Sequence, residues 1–164
     1  MVKVWTIMCS TISTVMVRHT KIKQTTIRVI YINPEAPFPS GNIDWPIVER
    51  LKTAFPEASV LIVGVGDREN KDENGELRTM PGVKRLIRYQ QALAAETGVA
   101  FWNMFEAMGG EGSMVEMVNH KPQMANYDYT HINFRGGKHI AGLLFETLMY
   151  GKEQYEKRKA YEME

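Results

Sequence analysis

Ser59-Val60-Leu61-Ile62-Val63-Gly64-Val65 is apolar and β-branched almost without interruption. A run of strand length in which no polar residue alternates is what a strand covered on both faces requires. Pro81, downstream, suits the first turn of a helix. Val83, Leu86, Ile87, Leu93 and Ala94 then recur on one face as far as Gly98, which stands where a C-cap glycine belongs. Val99-Ala100-Phe101-Trp102-Asn103-Met104 reads as a second buried strand. Strand, helix and strand within about 45 residues form a βαβ unit, with parallel neighbours and a right-handed crossover. The expected class is α/β.

Upstream, Asp44 reads as an N-cap and Pro46 as a first-turn residue of a helix to about Ala54, stopped by Pro56. Asn33-Pro34-Glu35-Ala36-Pro37-Phe38-Pro39-Ser40-Gly41 is a breaker-rich linker. Residues 1–34 carry Lys3, Arg18, Lys21, Lys23 and Arg28 but no Asp or Glu, and Met1–Met8 and Thr25–Ile32 have β-like composition. Two readings stand: a pair of strands making a hairpin or sheet edge, or a truncated, non-native start joined to a genuine domain. The expected division is therefore an atypical segment over 1–44 and an α/β domain over 45–164.

Between strand and helix, Gly66 to Met80 is charged and reads as a surface loop, with a turn at Asn74-Gly75 and a local Asp67–Arg68 ion pair. Residues 105–125 read as short helix and loop, their methionines (Met104, Met108, Met114, Met117, Met124) as core filler. Gly137 to about Lys159 is the closing helix, with Ile140, Leu143, Leu144 and Leu148 on its buried side and a solvated polar end.

The 164 residues suit one domain, and 20 Lys+Arg against 19 Asp+Glu give no field that would attract nucleic acid or an anionic membrane. A single cysteine, Cys9, excludes an internal disulfide. No apolar run approaches the roughly 20 residues that span a bilayer, and no export signal is legible, which leaves the compartment open.

Candidate chemistry centres on Asn126-Tyr127-Asp128-Tyr129-Thr130-His131-Ile132-Asn133. Asp128 can accept a hydrogen bond from one ring nitrogen of His131, fixing the tautomer so that the other nitrogen takes a proton from a nucleophile. The plainer alternative is a loop pair that caps the following helix. A metal site from His120, Asp128, His131 and His139 matches no ligand spacing. Gly64-Val65-Gly66 lacks the third glycine of a dinucleotide fingerprint, since position 69 is Glu. Ser113 sits in a Gly-x-Ser with Val115 where a nucleophile elbow needs Gly. It reads better as a helix N-cap, with Glu116 completing a capping box.

Asp128-Tyr129-Thr130-His131 followed by Gly136-Gly137 resembles the final motif block of the SGNH (GDSL-type) hydrolases. Gly64-Val65-Gly66-Asp67-Arg68, Phe101-Trp102-Asn103 and Ala107 to Met114 also resemble bacterial members, so the similarity covers roughly residues 45–150. The resemblance implies an incomplete flavodoxin-like three-layer sandwich with parallel strands. It implies ester hydrolysis through an acyl-serine, with His131 as general base then acid, Asp128 as its orienting partner, and no cofactor. The implied substrate is a small-molecule or carbohydrate ester. The sequence departs from the family at the nucleophile: its Gly-Asp-Ser block and its Gly-x-Asn block are absent. Ser40 and Asn42, in the proline-rich linker, are poor surrogates. Weak or absent hydrolysis by the chain as written is therefore expected. The competing expectation is a non-catalytic binding module, or one that self-associates through an exposed sheet edge.

Overall fold

The structure is a computed structural model that describes residues 4–9, 13–22, 25–31 and 44–162, with side chains from Pro46 onward. The breaker-rich linker expected at 33–41 lies outside the described residues. In chain order the elements begin with β1 (Val4–Cys9), β2 (Ser13–Ile22), β3 (Thr25–Tyr31), α1 (Asp44–Ala54), β4 (Ser59–Val63), β5 (Glu69–Lys71) and β6 (Leu77–Thr79). They continue with α2 (Pro81–Thr97), β7 (Ala100–Trp102), α3 (Met104–Met108), α4 (Ser113–Asn119) and α5 (Phe134–Glu162). The chain divides into two compact units, Met1–Gly66 with Met80–Glu106 and Asp67–Thr79 with Ala107–Glu164.

The first unit is built on a sheet of order β1-β2-β3-β4-β7. β3 and β7 flank β4 in parallel, and β1 and β2 add antiparallel to the β3 side. Val60, Leu61, Ile62 and Val63 are all buried, so both faces of β4 are covered, as its composition predicts. Ile62 is fully enclosed among Val48 of α1 and Leu93 and Ala94 of α2. A second cluster, Val65, Val83, Ile87 and Phe105, continues the core past the end of β4. β7 is shorter and less covered than expected: Ala100 is exposed and Phe101 half-buried, because among the described residues β7 ends the sheet order and has a strand neighbour on one side.

Past β4 the strand pairing is extended by the Gly64 N–H, which donates to the Trp102 carbonyl at 2.8 Å. A Cβ at Gly64 would meet the Phe101 ring at 3.0 Å and the Trp102 carbonyl at 3.2 Å, so the approach needs glycine. α2 starts at Pro81 and ends at Gly98, which takes the left-handed φ of 66° while its N–H and that of Val99 close onto Ala95 and Ala94 carbonyls. Its buried face includes a polar residue that pattern reading passed over. Gln90 is 0% exposed, and its Oε1 accepts the Val65 N–H at 3.1 Å, satisfying a donor stranded where the sheet stops.

The second unit contains the β5–β6 hairpin, α4 and α5. Residues 66–80 are therefore not a simple surface loop. The turn at Asn74-Gly75 is present, with Gly75 at φ 80°. Asp72 organises it by accepting the Asn74 and Glu76 N–H groups and the Arg78 Nε–H. At the hairpin's base, however, Asp67, Glu69 and Thr79 are buried. Met114 and Met117 are buried too, as filler in this unit's small core. α5 is longer than the sequence pattern suggests, and within it only Gly136 and Ile140 are buried. Leu143 and Leu144 are half-buried and Leu148 is 42% exposed, against expectation. A 29-residue helix outruns the short elements of its own unit, so its apolar stripe exceeds what they can cover.

Candidate active site

The loop carrying the candidate pair is closed by its own backbone. Ala125 and Ile132 form an antiparallel bridge. The Asn126 N–H donates to the His131 carbonyl at 2.8 Å, and the Tyr129 N–H to the Asn126 carbonyl at 3.1 Å. Tyr129 takes φ 53°, a left-handed conformation disfavoured for a side chain with a Cβ. Its carbonyl accepts the Glu69 N–H at 3.0 Å, which ties the tip of the loop to the β5–β6 hairpin.

Asp128 faces back across this loop. Its Oδ1 accepts the N–H groups of Thr130 and His131, each at 3.0 Å, and its Oδ2 lies 2.9 Å from His131 Nδ1. The His131 backbone N–H first, then the His131 ring and the Thr130 N–H, hold the carboxyl down at about 2, so it is ionised at neutral pH. An anion at Nδ1 favours the proton there, which puts the lone pair of the neutral ring on Nε2. Side-chain exposures of 61% for His131 and 49% for Asp128 place the pair in solvent. A charged contact so exposed adds little to stability, and its effect is to orient the ring.

The capping alternative is answered by a neighbouring residue. Asn133 Oδ1 accepts the N–H groups of Arg135 at 2.9 Å and Gly136 at 3.2 Å, so Asn133 caps α5. Its Nδ2 donates to the Gln123 carbonyl at 2.9 Å, fixing the cap in place. Asp128 takes no part in this. Gly136 brings α5 close against the strand-like segment before the loop. A Cβ there would overlap the Met124 carbonyl oxygen and press on the Met117 methyl. Of the Gly136-Gly137 pair, the first is thus required by packing, while a Cβ at Gly137 meets nothing within 4 Å.

Beneath the loop the hairpin supplies two buried carboxyl groups. Asp67 is 1% exposed, accepts the Thr79 hydroxyl at 2.7 Å through Oδ1 and the Met114 N–H at 3.0 Å through Oδ2. It thus accepts an N–H from the first turn of α4, where an exposed loop residue was expected. Glu69 Oε1 accepts the next N–H, that of Val115, at 3.4 Å. Ser113 is not the N-cap: that position is Gly112 at φ 87°, and the Ser113 hydroxyl is buried without a hydrogen-bond partner. Enclosed in this way, Ser113 is not presented as a nucleophile. Ser40 and Asn42 lie outside the described residues. Among the described residues no three His, Cys, Asp or Glu side chains gather to hold a metal ion. A shallow depression of about 360 Å³ along α5 is lined by Arg135, Lys138, His139, Gly142, Leu143 and Glu146, without Asp128 or His131.

The parallel β3, β4 and β7 with the helices make an α/β fold. The chain is similar to the solved structure of a peptidoglycan O-acetylesterase, with a TM-score of 0.63 and 21% identity over 76% of this chain. It spans 37% of the length of that protein. It also matches a structure named as a GDSL-like lipase from Parabacteroides merdae, at TM-score 0.49 and 11% identity, over 65% of this chain and 46% of the other. No protein-family model and no curated protein matches the chain.

Proposed function

We propose that residues 45–164 carry the acid–base half of an SGNH-type serine esterase. In this reading His131 is the general base that takes the serine proton through Nε2 and later returns it to the leaving group. Asp128 orients the ring and stabilises the imidazolium. One observation carries the proposal: Asp128 spends its oxygens on His131 and Thr130 while Asn133 does the capping of α5. A carboxylate serving only the helix would be placed the other way round. The substrate class is an O-acyl ester, a carbohydrate ester being favoured by the likeness to a peptidoglycan O-acetylesterase. Such acyl transfer needs no cofactor.

The nucleophile is a serine outside the motifs of residues 45–164, since none of these serines stands in a Gly-Asp-Ser block. A triad without its nucleophile retains only the small catalysis that binding and oxyanion donors give. The full chain incubated with an activated acetate ester is therefore expected to show no acetyl adduct by intact mass and turnover near background. Turnover abolished by His131→Ala, with an acetylated serine, would overturn the absence of a nucleophile. The pair itself is tested by ¹⁵N NMR of the His131 ring, where a neutral ring protonated at Nε2 would sink the assignment.

A second reading, a non-catalytic module that binds another chain or a copy of itself, is favoured by the exposed apolar side chains on α5, Phe145 at 62% and Tyr150 at 66% among them. Size-exclusion chromatography separates the two: a concentration-dependent dimer supports association, a monomer removes it.

A further inference from the structure

Asp67 and Glu69 are buried side by side at the foot of the hairpin, and their hydrogen bonds do not balance if both are ionised. Asp67 has both oxygens engaged by donors, whereas Glu69 Oε2 is enclosed with no partner. An orphaned anionic oxygen in a buried site is costly. A proton on Glu69 donated toward Asp67 removes the orphan and the like-charge repulsion together. We propose that Glu69 is the positioning residue of the Asp128–His131 loop: a proton shared with Asp67 seats Glu69 against α4, its backbone N–H then holds the Tyr129 carbonyl, and loss of the proton releases the tip of the loop.

The electrostatics agree with the geometry. Burial first, then the hydrogen bond with Asp67, push the Glu69 carboxyl up to about 7, the Asp67 and Glu111 charges adding to this and the Val115 N–H opposing it. The titratable and charged groups on the segments around Glu69 are Asp67 and Arg68 just ahead of its hairpin, Lys71, Asp72, Glu73, Glu76 and Arg78 within it, Glu111 ahead of α4 and Glu116 in its first turn. In the loop its N–H holds, they are Asp128, Tyr129 and His131. The native chain keeps a proton that the unfolded chain gives up near the ordinary 4.5. The seating is accordingly complete below that value and is lost as pH rises toward 7. Tyr129 makes the link consequential, because a residue at φ 53° stays there only while its neighbours hold it.

The bearing on ester hydrolysis rests on the acid–base reading of Asp128 and His131, but the loop's response to pH is measured without substrate, so the two can fail separately. Amide hydrogen exchange on the full chain, corrected for intrinsic rates, is followed between about pH 6 and pH 8. Protection of the Glu69, Thr130 and His131 amides is expected to fall by about tenfold through one step. Glu69→Gln, a neutral isostere that keeps a donor toward Asp67, is expected to hold the loop protected and flat across the same range. A flat wild type overturns the proposal. So does a step that persists in Glu69→Gln, since the titrating group would then lie elsewhere. Should that variant not fold, ¹³C NMR of the wild-type Glu69 carboxyl decides: a midpoint near 7 supports the proposal, and one in the ordinary glutamate range ends it.

Discussion

Asn133 Oδ1 accepts the Arg135 N–H at 2.9 Å, and that contact leaves Asp128 to His131. The division of labour between an amide at the helix and a carboxylate at the imidazole makes the two positions separable by mutation. Asn133→Ala removes the cap and is expected to cost about 1 kcal/mol in urea unfolding. The ¹⁵N pattern of a His131 ring protonated at Nδ1 should survive it. Loss of that pattern would show that the cap and the pair are one structure.

Gly136 and Gly137 should respond in opposite directions. A methyl group at 136 is driven into the Met124 carbonyl, so Gly136→Ala is expected to destabilise by about 1–3 kcal/mol. At 137 the methyl group enters open space on a helix, where alanine is better than glycine by about 0.5–1 kcal/mol. Midpoints of thermal unfolding moving the same way for both would contradict the packing described.

The Asp128 carboxyl, held at about 2 against an ordinary 3.8, binds a proton in the unfolded chain at pH values where the native chain does not. Its contribution is therefore present above 3.8 and is lost as pH falls toward 2. The contribution is small because the pair is exposed. In His131→Ala the ring contact goes but the backbone N–H groups of residues 130 and 131 stay. The ¹³C midpoint of Asp128 should rise and still fall short of 3.8.

Gln90→Leu tests the polar residue in the core. The substitution fits the volume but strands the buried Val65 N–H, and a cost of about 1–3 kcal/mol is expected. A neutral result would mean that water or another group takes up the donor.

What the sequence made legible were features that depend on one segment at a time. The β4 run, the Pro81 start and Gly98 end of α2 and the turn at Asn74-Gly75 are written in local residue types, and each is found in place. The contact of Asp128 with His131 is of the same kind, three residues apart in one loop. Missed were contacts between segments distant along the chain. Asp67 and Glu69 read as surface charge because their partners, Met114 and Val115, lie 47 and 46 residues away. Gln90 was passed over because a periodicity count treats every polar residue as solvent-facing. A signal was available for Asn133: an Asn just ahead of a helical run is a strong N-cap, and it competes with Ser113-style readings on equal terms.

The long α5 is pinned to its own unit near one end only, through Gly136, Ile140 and the Asn133 cap. Beyond Ile140 the helix runs on for about 33 Å, at 1.5 Å per residue, without another fully buried side chain. Trimming the helix beyond Leu148 would remove mostly exposed surface and none of the contacts that set Asp128 against His131.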